Sequence, residues 1–258
     1  MLDEGVPYRH VFFLRVFLWA SYSHDRSTQV EGVFFSMAGE QDERLIKSRA
    51  RVRDHGEVFT PAWLVRAMCD LAEPAVGAIG SRVLEPACGD GNFLVEVLRR
   101  KLGTIRKAYG SASARAQLER FRAVSSLYGI DLLPDNVHAC RERLYALWAE
   151  SIPPWRWRRS QRRFDETAAA IRAVLARNIL CGNTLLPDGN ADSPPIILSE
   201  WCLPSAEGCE RAVVPSAYEV AVTQLEWRLS DLWTRPNELC FTPAPLATHP
   251  ACPYWEVR

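Results

Sequence analysis

A glycine-containing turn is the segment of this chain whose residue types most clearly suggest chemistry. The apolar strand Arg82–Glu85 ends in an acid, and the turn Pro86-Ala87-Cys88-Gly89-Asp90-Gly91 leads into a helix that begins near Phe93. Gly89 and Gly91 lack a Cβ, so a ligand can approach the backbone closely. The first amides of the following helix favour a carboxylate by about 0.3 to 1 kcal/mol. The turn therefore predicts a site for a small anionic group.

A second acid stands at the end of the next predicted strand. Asp131 closes the segment Ser125–Asp131, and an acid in that position can accept hydrogen bonds from both hydroxyls of a ribose. The first turn lacks the third glycine of a dinucleotide-binding loop, and no Lys-Ser/Thr pair follows it as in triphosphate-binding loops. We therefore expect a nucleoside that carries a carboxylate, in preference to a pyrophosphate or a triphosphate.

Both acids need a sheet whose strands end side by side, and the spacing of apolar residues indicates one. Helices and strands alternate along the chain, which predicts an α/β fold with a Rossmann-like, doubly wound and mostly parallel sheet. We predict strands over residues 82–85, 125–131, 178–181 and 195–201, a helix that starts at Pro61, and further helices over residues 93–102, 112–124, 134–148, 165–177 and 218–232.

The length of the chain allows one large domain with an appendage. A chain of 258 residues can bury about 70 to 75% of its unfolded surface. We expect an N-terminal extension over residues 1–42, in which Met37 is a candidate translation start, and a ligand-binding domain over residues 43–201. Residues 202–258 are expected to form a C-terminal helix and, after Arg235, an irregular proline-rich tail.

Composition restricts the compartment and the partners. The formal net charge is zero, so no whole-molecule field indicates a nucleic-acid partner, although a local basic stripe is compatible with a neutral total. The eight cysteines form no Cys-x-x-Cys pair and have no His cluster beside them. The apolar run Val11–Ala20 is too short to span a bilayer and lacks the basic start of a signal peptide. We expect a reduced, cytoplasmic protein without bound metal or membrane contact.

Four segments taken together resemble the DNA adenine-N6 methyltransferases of restriction-modification systems. They are Gly56-Glu57-Val58-Phe59-Thr60-Pro61, Glu85 to Leu94, Tyr128-Gly129-Ile130-Asp131 and Asn178 to Leu185, and the resemblance covers residues 43 to 201. It implies a class I methyltransferase fold and S-adenosylmethionine as the cofactor. It also implies that the first two segments hold the methionine moiety, the third the ribose and the fourth the adenine ring. The implied cofactor-binding residues are Phe59, Thr60, Pro61, Glu85, Pro86, Ala87, Cys88, Gly89, Gly91, Asp131 and Asn183.

The sequence departs from the family pattern at two places. Asn183 stands where an Asp is usual, so its amide oxygen would accept from the adenine amine without charge assistance. The family's Asn/Asp-Pro-Pro-aromatic motif, which grips the target base, has its nearest counterpart in Ser193-Pro194-Pro195-Ile196. Without the aromatic, base stacking worth about 1 to 3 kcal/mol is lost. Ser193, Pro194 and Pro195 are therefore weak catalytic candidates, and a plain proline turn before the following strand is the favoured alternative.

A basic connector follows the helix that starts at Pro134. The stretch Trp155–Arg163 interleaves arginines with two indoles, a composition that suits phosphate contact and base stacking and equally suits a solvated connector. The candidate DNA contacts are Arg156, Arg158, Arg159, Arg162 and Arg163.

The resemblance implies a DNA methyltransferase domain of a restriction-modification system, with DNA as the substrate and a specificity or endonuclease subunit as a candidate partner. Because a clean copy of the catalytic motif is missing, truncation before that motif is one explanation. Two alternatives stay open. One is a catalytically incomplete subunit or remnant that binds S-adenosylmethionine and acts as a scaffold. The other is an RNA or small-molecule methyltransferase, since a fold alone does not choose a substrate.

Overall fold

A parallel sheet forms the centre of the protein. A computed structural model describes residues 11–13, 46–155, 160–191, 193–203, 220–233 and 244–258. The parallel strands lie in the order β1 (Val11–Phe13), β2 (Arg82–Glu85), β3 (Leu127–Asp131) and β4 (Ile179–Cys181). The prediction of an α/β fold with a parallel sheet is thus confirmed. The order of these described strands contains no reversal, so the doubly wound arrangement stays a prediction.

The helices agree with the predicted alternation, with shifts at their ends. The helix predicted to start at Pro61 begins one position later, at Ala62, and Pro61 is the residue before its first turn. The helix that follows the glycine turn continues well beyond residue 102, because Ile105 is buried and extends its apolar face. The helices are α1 (Arg49–His55), α2 (Ala62–Leu71), α3 (Asn92–Tyr109), α4 (Ala114–Ser125), α5 (Pro134–Glu150) and α6 (Gln161–Asn178).

Alternate residues of the central strands pack into apolar layers on opposite faces of the sheet, as the two-residue period of a strand requires. Val83 and Leu127 face a large core with residues of α3 to α6, whereas Leu84 and Tyr128 face a smaller cluster on the opposite side. That second cluster is completed by Ile130, Ile196, Leu198 and Leu229. Because both faces are covered, the strand ends are held rigidly.

The predicted strand over residues 195–201 exists, but it lies outside the parallel sheet. The strand β5 (Ile197–Cys202) pairs antiparallel with β6 (Ala221–Arg228) along its whole length. The prediction of a helix over residues 218–232 is therefore wrong for its described part, in which β6 is followed by the short helix α7 (Leu229–Trp233). The segment is rich in strand-forming residues such as Val222 and Trp227, and pairing with β5 outweighs its helical spacing. Residues 218 and 219 of that predicted helix lie outside the described residues.

The expectation of an irregular tail is wrong in part. The short strands β7 (Ala247–Thr248) and β8 (Cys252–Pro253) both pair with β6. Tyr254 and Trp255 are buried in the large core, and the Tyr254 ring lies 5.4 Å from that of Phe121. Buried aromatic side chains contribute large apolar areas, so they fix the tail on the domain although prolines interrupt it. The predicted domain boundaries at residues 42 and 201 stay a prediction.

A buried lysine ties the amino-terminal edge of the sheet to α3. Lys101 is fully buried, and its ammonium donates to the carbonyl oxygens of Ile79 and Ser81 and, over 2.7 Å, to the Ser126 hydroxyl. Burial lowers the pKa of Lys101 from 10.5 to about 7. The energetic cost of burying Lys101 is therefore smallest at pH values at which its amine is neutral.

Lys101 predicts a pH dependence of stability with a definite sign. Because the folded state has the lower pKa, the unfolded chain binds more protons between pH 7 and pH 10.5, so stability rises with pH across that window. Relative to the Lys101→Met variant, the free energy of unfolding of the wild type should increase by about 2 to 4 kcal/mol across it. Urea denaturation of both proteins at several pH values measures this difference. Parallel curves for the two proteins would contradict the prediction.

Candidate functional site

A cleft opens where the central strands end. Its volume is 340 Å³, within the size range of small-molecule sites. The cleft lies at the carboxyl ends of β2, β3 and β4, because its walls include Pro86, Asp131 and Gly182. Of the predicted cofactor residues, those that line it are Phe59, Thr60, Pro86, Ala87, Cys88, Gly89, Asp131 and Asn183, whereas Pro61, Glu85 and Gly91 do not.

The glycine turn is held by backbone hydrogen bonds to the neighbouring strand. The Cys88 amide donates to the Ile130 carbonyl over 2.9 Å, and the Gly91 amide donates to the Cys88 carbonyl over 2.9 Å. Gly91 has a φ of 96°, and a Cβ there would lie 2.6 Å from Cys140 Sγ. Gly91 therefore serves the packing of the turn on α5, which differs from the ligand-approach role expected from the sequence.

Of the two glycines in the turn, Gly89 is the one that lines the cleft. Its φ is 54°, and a Cβ there would lie 3.2 Å from Cε1 of Phe59. Lys47 Nζ lies 5.6 Å from the centroid of the same Phe59 ring. The neighbouring Thr60 carbonyl accepts a hydrogen bond of 3.2 Å from the Asn92 side chain, which joins this segment to the start of α3. The Phe-Thr-Pro segment and the glycine turn thus form one wall of the cleft.

The Asp131 carboxylate is held by three donors of the protein. The Gly89 amide donates to Oδ2 over 2.9 Å, while the Leu133 amide and the Asn136 side chain donate to Oδ1 over 3.0 and 3.1 Å. A carboxylate offers about four acceptor positions. The remaining capacity lies on Oδ2, so the structure presents this oxygen for a further hydrogen bond.

Asn183 lines the cleft in a turn of its own. Its side-chain oxygen accepts a hydrogen bond of 3.0 Å from the Leu185 amide, and the Thr184 hydroxyl donates to the Pro86 carbonyl over 3.1 Å. An amide has one oxygen, whereas a carboxylate has two. The Asn183 oxygen is therefore shared between the turn and any ligand, a constraint that an Asp would relieve.

Glu85 and Cys88 are buried residues of the turn. Glu85 is 1% exposed and lies behind the cleft surface. A hydrogen bond with Cys140, and then burial, raise the pKa of the Cys88 thiol well above its ordinary value of 9.0. The Cys88 thiol is therefore neutral at physiological pH, which does not suit a nucleophile.

A polar network that includes the cleft residues Glu57 and Asn136 was not predicted from the sequence. Glu57 accepts hydrogen bonds from Arg51 over 2.5 and 2.7 Å and from Asn136 over 2.7 Å. Asp135 accepts from Arg51 over 2.9 and 3.1 Å, and from Lys47 over 2.9 Å. Hydrogen bonds from Arg51 lower the pKa of Glu57, and those from Arg51 and Lys47 lower the pKa of Asp135 to about 2. Both carboxylates are therefore ionised at neutral pH.

The weak catalytic candidates do not line the cleft. Ser193 forms an isolated bridge with Asn190, and its carbonyl accepts from the Asn190 amide over 2.8 Å. A Cβ on Gly189 would overlap that carbonyl, so the turn is tight. None of Ser193, Pro194 and Pro195 is among the residues that line the cleft.

The predicted DNA-contact arginines fall into two groups. Arg156, Arg158 and Arg159 lie outside the described residues. Arg162 and Arg163 pair with Glu166 over 2.9 and 3.4 Å, and the Arg163 guanidinium lies 4.0 Å from the centroid of the Trp255 ring. These two arginines thus take part in local contacts on α6, and DNA contact stays a prediction.

The described ranges were compared with the requirements of a metal site and of a membrane-spanning helix. Within them, no group of three or more His, Cys, Asp or Glu residues is arranged to hold a metal ion. In the same part of the chain, no helix combines the length and the apolar character needed to cross a membrane.

The fold and the site define an α/β protein with a cleft at the ends of its parallel strands. Residues 37–131 match a family model described as N-6 DNA Methylase. This match includes the Phe-Thr-Pro segment, the glycine turn and Asp131, and it supports a relationship to a DNA methyltransferase family. Neither a curated protein nor a solved structure matches the chain significantly.

The packing role of Gly91 predicts a large effect of a single methyl group. The Gly91→Ala substitution should destabilise the protein by about 1 to 3 kcal/mol through overpacking against Cys140. The left-handed backbone at this position should cost about 1 to 2 kcal/mol more. Gly56→Ala is the matched control, since Gly56 has a φ of 64° and nothing lies within 4 Å of the position that its added methyl group would take. Denaturant unfolding should show the larger loss in Gly91→Ala, and Cys140→Ala should restore part of it. Equal losses in both variants would refute the packing role.

Proposed function

We propose that the protein is an S-adenosylmethionine-dependent DNA methyltransferase that acts on the N6 amine of adenine within a restriction-modification system. The observation that carries the proposal is the convergence of Phe59, Gly89, Asp131 and Asn183 on one cleft at the ends of parallel strands. These residues come from four separate segments of the sequence. The family match over residues 37–131, which contain three of these four residues, supports a DNA methyltransferase function.

The four residues suit different parts of the cofactor. Asp131 Oδ2 has capacity for a ribose hydroxyl, and Asn183 lies where the adenine ring would contact its amide. Gly89 and Phe59 form the wall against which the methionine moiety would lie. When bound, S-adenosylmethionine supplies an electrophilic methyl group on a sulfonium centre.

The contribution of the protein to such a transfer is mainly positioning. The cleft residues fix the ligand relative to the turn, because the turn itself is tied to β3 through Cys88 and Gly89. The target adenine would have to be extruded from the duplex to reach a cleft of this depth. Acceptors that contact its amine would increase the nucleophilicity of the nitrogen.

A scaffold that binds S-adenosylmethionine without transferring its methyl group is the second candidate. The placement of Ser193, Pro194 and Pro195 in a tight turn that does not line the cleft favours it. The two candidates share the cofactor site and differ only in the groups that would receive the adenine. A transfer assay with tritiated methyl groups and unmodified duplex DNA separates them: incorporation of label supports the enzyme, and binding without incorporation supports the scaffold.

Asp131→Ala tests the shared cofactor site. The variant should weaken S-adenosylmethionine binding by about 1 to 3 kcal/mol, because a charge-assisted hydrogen bond to the ribose is lost. Isothermal titration calorimetry measures the change, and Asp165→Ala serves as a control on the exposed face of α6, since Asp165 pairs only with Gln161 over 2.8 Å in the described structure. An unchanged affinity in Asp131→Ala would remove this residue from the proposed role, and no binding by the wild type would refute the proposed function.

The Asn183→Asp variant tests whether the single side-chain oxygen of Asn183 limits the affinity for S-adenosylmethionine. One carboxylate oxygen can keep the hydrogen bond to the Leu185 amide while the other accepts from the adenine amine. The variant should therefore bind S-adenosylmethionine more tightly than the wild type, by about 0.5 to 1.5 kcal/mol. Titration calorimetry of both proteins gives the comparison, and weaker binding by the variant would contradict the assignment of Asn183 to the adenine.

A further inference from the structure

Asn136 is a buried amide that contacts two carboxylates at once. It is 1% exposed and lies in the first turn of α5. Its Nδ2 donates to Asp131 Oδ1 over 3.1 Å and to Glu57 Oε1 over 2.7 Å. Buried polar groups are rarely left without partners, and here both amide hydrogens are directed at acids from different segments of the chain.

The opposite end of the amide faces cations. Asn136 Oδ1 accepts from Lys47 Nζ over 2.5 Å and from Arg51 over 3.4 Å. A reversed amide would set its oxygen against two carboxylates and its hydrogens against two cations. The surrounding charges therefore fix the orientation of the side chain, so that Nδ2 always points toward Asp131 and Glu57.

The same cations attach α1 to the start of α5. Arg51 lies on α1 and pairs with Glu57 and Asp135, and the Glu57 side chain is 7% exposed. Glu57 lies two positions before Phe59 in the chain. A chain of contacts therefore runs from the Phe59 wall of the cleft, through Glu57 and Asn136, to the carboxylate of Asp131.

We propose that Asn136 is a positioning residue for this site. By occupying Oδ1 of Asp131, it keeps Oδ2 turned toward the ribose, and by binding Glu57 it keeps the Phe59 wall at a fixed distance from that oxygen. The inference rests on the proposed cofactor site, and Asn136, which also lines the cleft, acts there through Asp131 and Glu57. An Asp at this position would add a third carboxylate beside two others, and an Ala would leave both acids without their shared donor.

A double-mutant cycle tests the proposal with S-adenosylmethionine as the probe in titration calorimetry. Asn136→Ala should weaken binding about tenfold in the wild-type background and less than about twofold in the Asp131→Ala background, since coupled residues in one network are not additive. Asn136→Asp, which keeps the size of the side chain, should weaken binding at least as much. It provides a second measurement if Asn136→Ala does not fold.

Asn178 supplies a matched control. It is also fully buried, and its Nδ2 donates to the Ser125 and Leu127 carbonyl oxygens over 3.1 and 3.0 Å while its oxygen accepts from Trp201. Asn178→Ala loses comparable hydrogen bonds away from the cleft and should leave the affinity unchanged.

Four outcomes would overturn the inference. They are wild-type affinity in Asn136→Ala, an equal loss in both backgrounds, an equal loss in Asn178→Ala, and no binding by the wild type, which alone also refutes the proposed function.

Discussion

The hydrogen bond between the Gly89 amide and Asp131 Oδ2 is the interaction on which the candidate site depends. It joins the turn after β2 to the end of β3, and parallel pairing of those strands places the two groups side by side. The same bond orients Asp131 and fixes the turn, so neither can move without the other. The buried layers on both faces of the sheet hold the strands that carry them. The cleft is therefore as rigid as the core beneath it.

Much of this arrangement follows from local sequence. The strand Arg82–Glu85 was predicted with its observed bounds, because a short apolar run followed by a proline and glycines permits few alternatives. Asp131 was correctly placed at a strand end, since its apolar run stops at an acid. The helix start at Pro134 was also predicted correctly from the proline. These features depend on neighbours within a few positions, which a single sequence displays directly.

The remaining features depend on contacts between distant residues. Asn136 and Glu57 are separated by 79 positions, and nothing in either local segment indicates that they meet. Gly91 was predicted to allow close approach of a ligand, whereas the atom that a Cβ there would meet belongs to Cys140 on another helix. The strand β6 was mistaken for a helix because its apolar spacing fits both, and only pairing with β5 decides between them.

A crystal structure of the protein with S-adenosylmethionine tests the central claim most directly. The claim is that the strand-end cleft binds this cofactor through Asp131 and the glycine turn. It predicts a ribose hydroxyl within about 3.2 Å of Asp131 Oδ2, with the methionine moiety beside Gly89 and Phe59. An empty cleft at saturating cofactor, or a cofactor bound with its ribose away from Asp131, would contradict it.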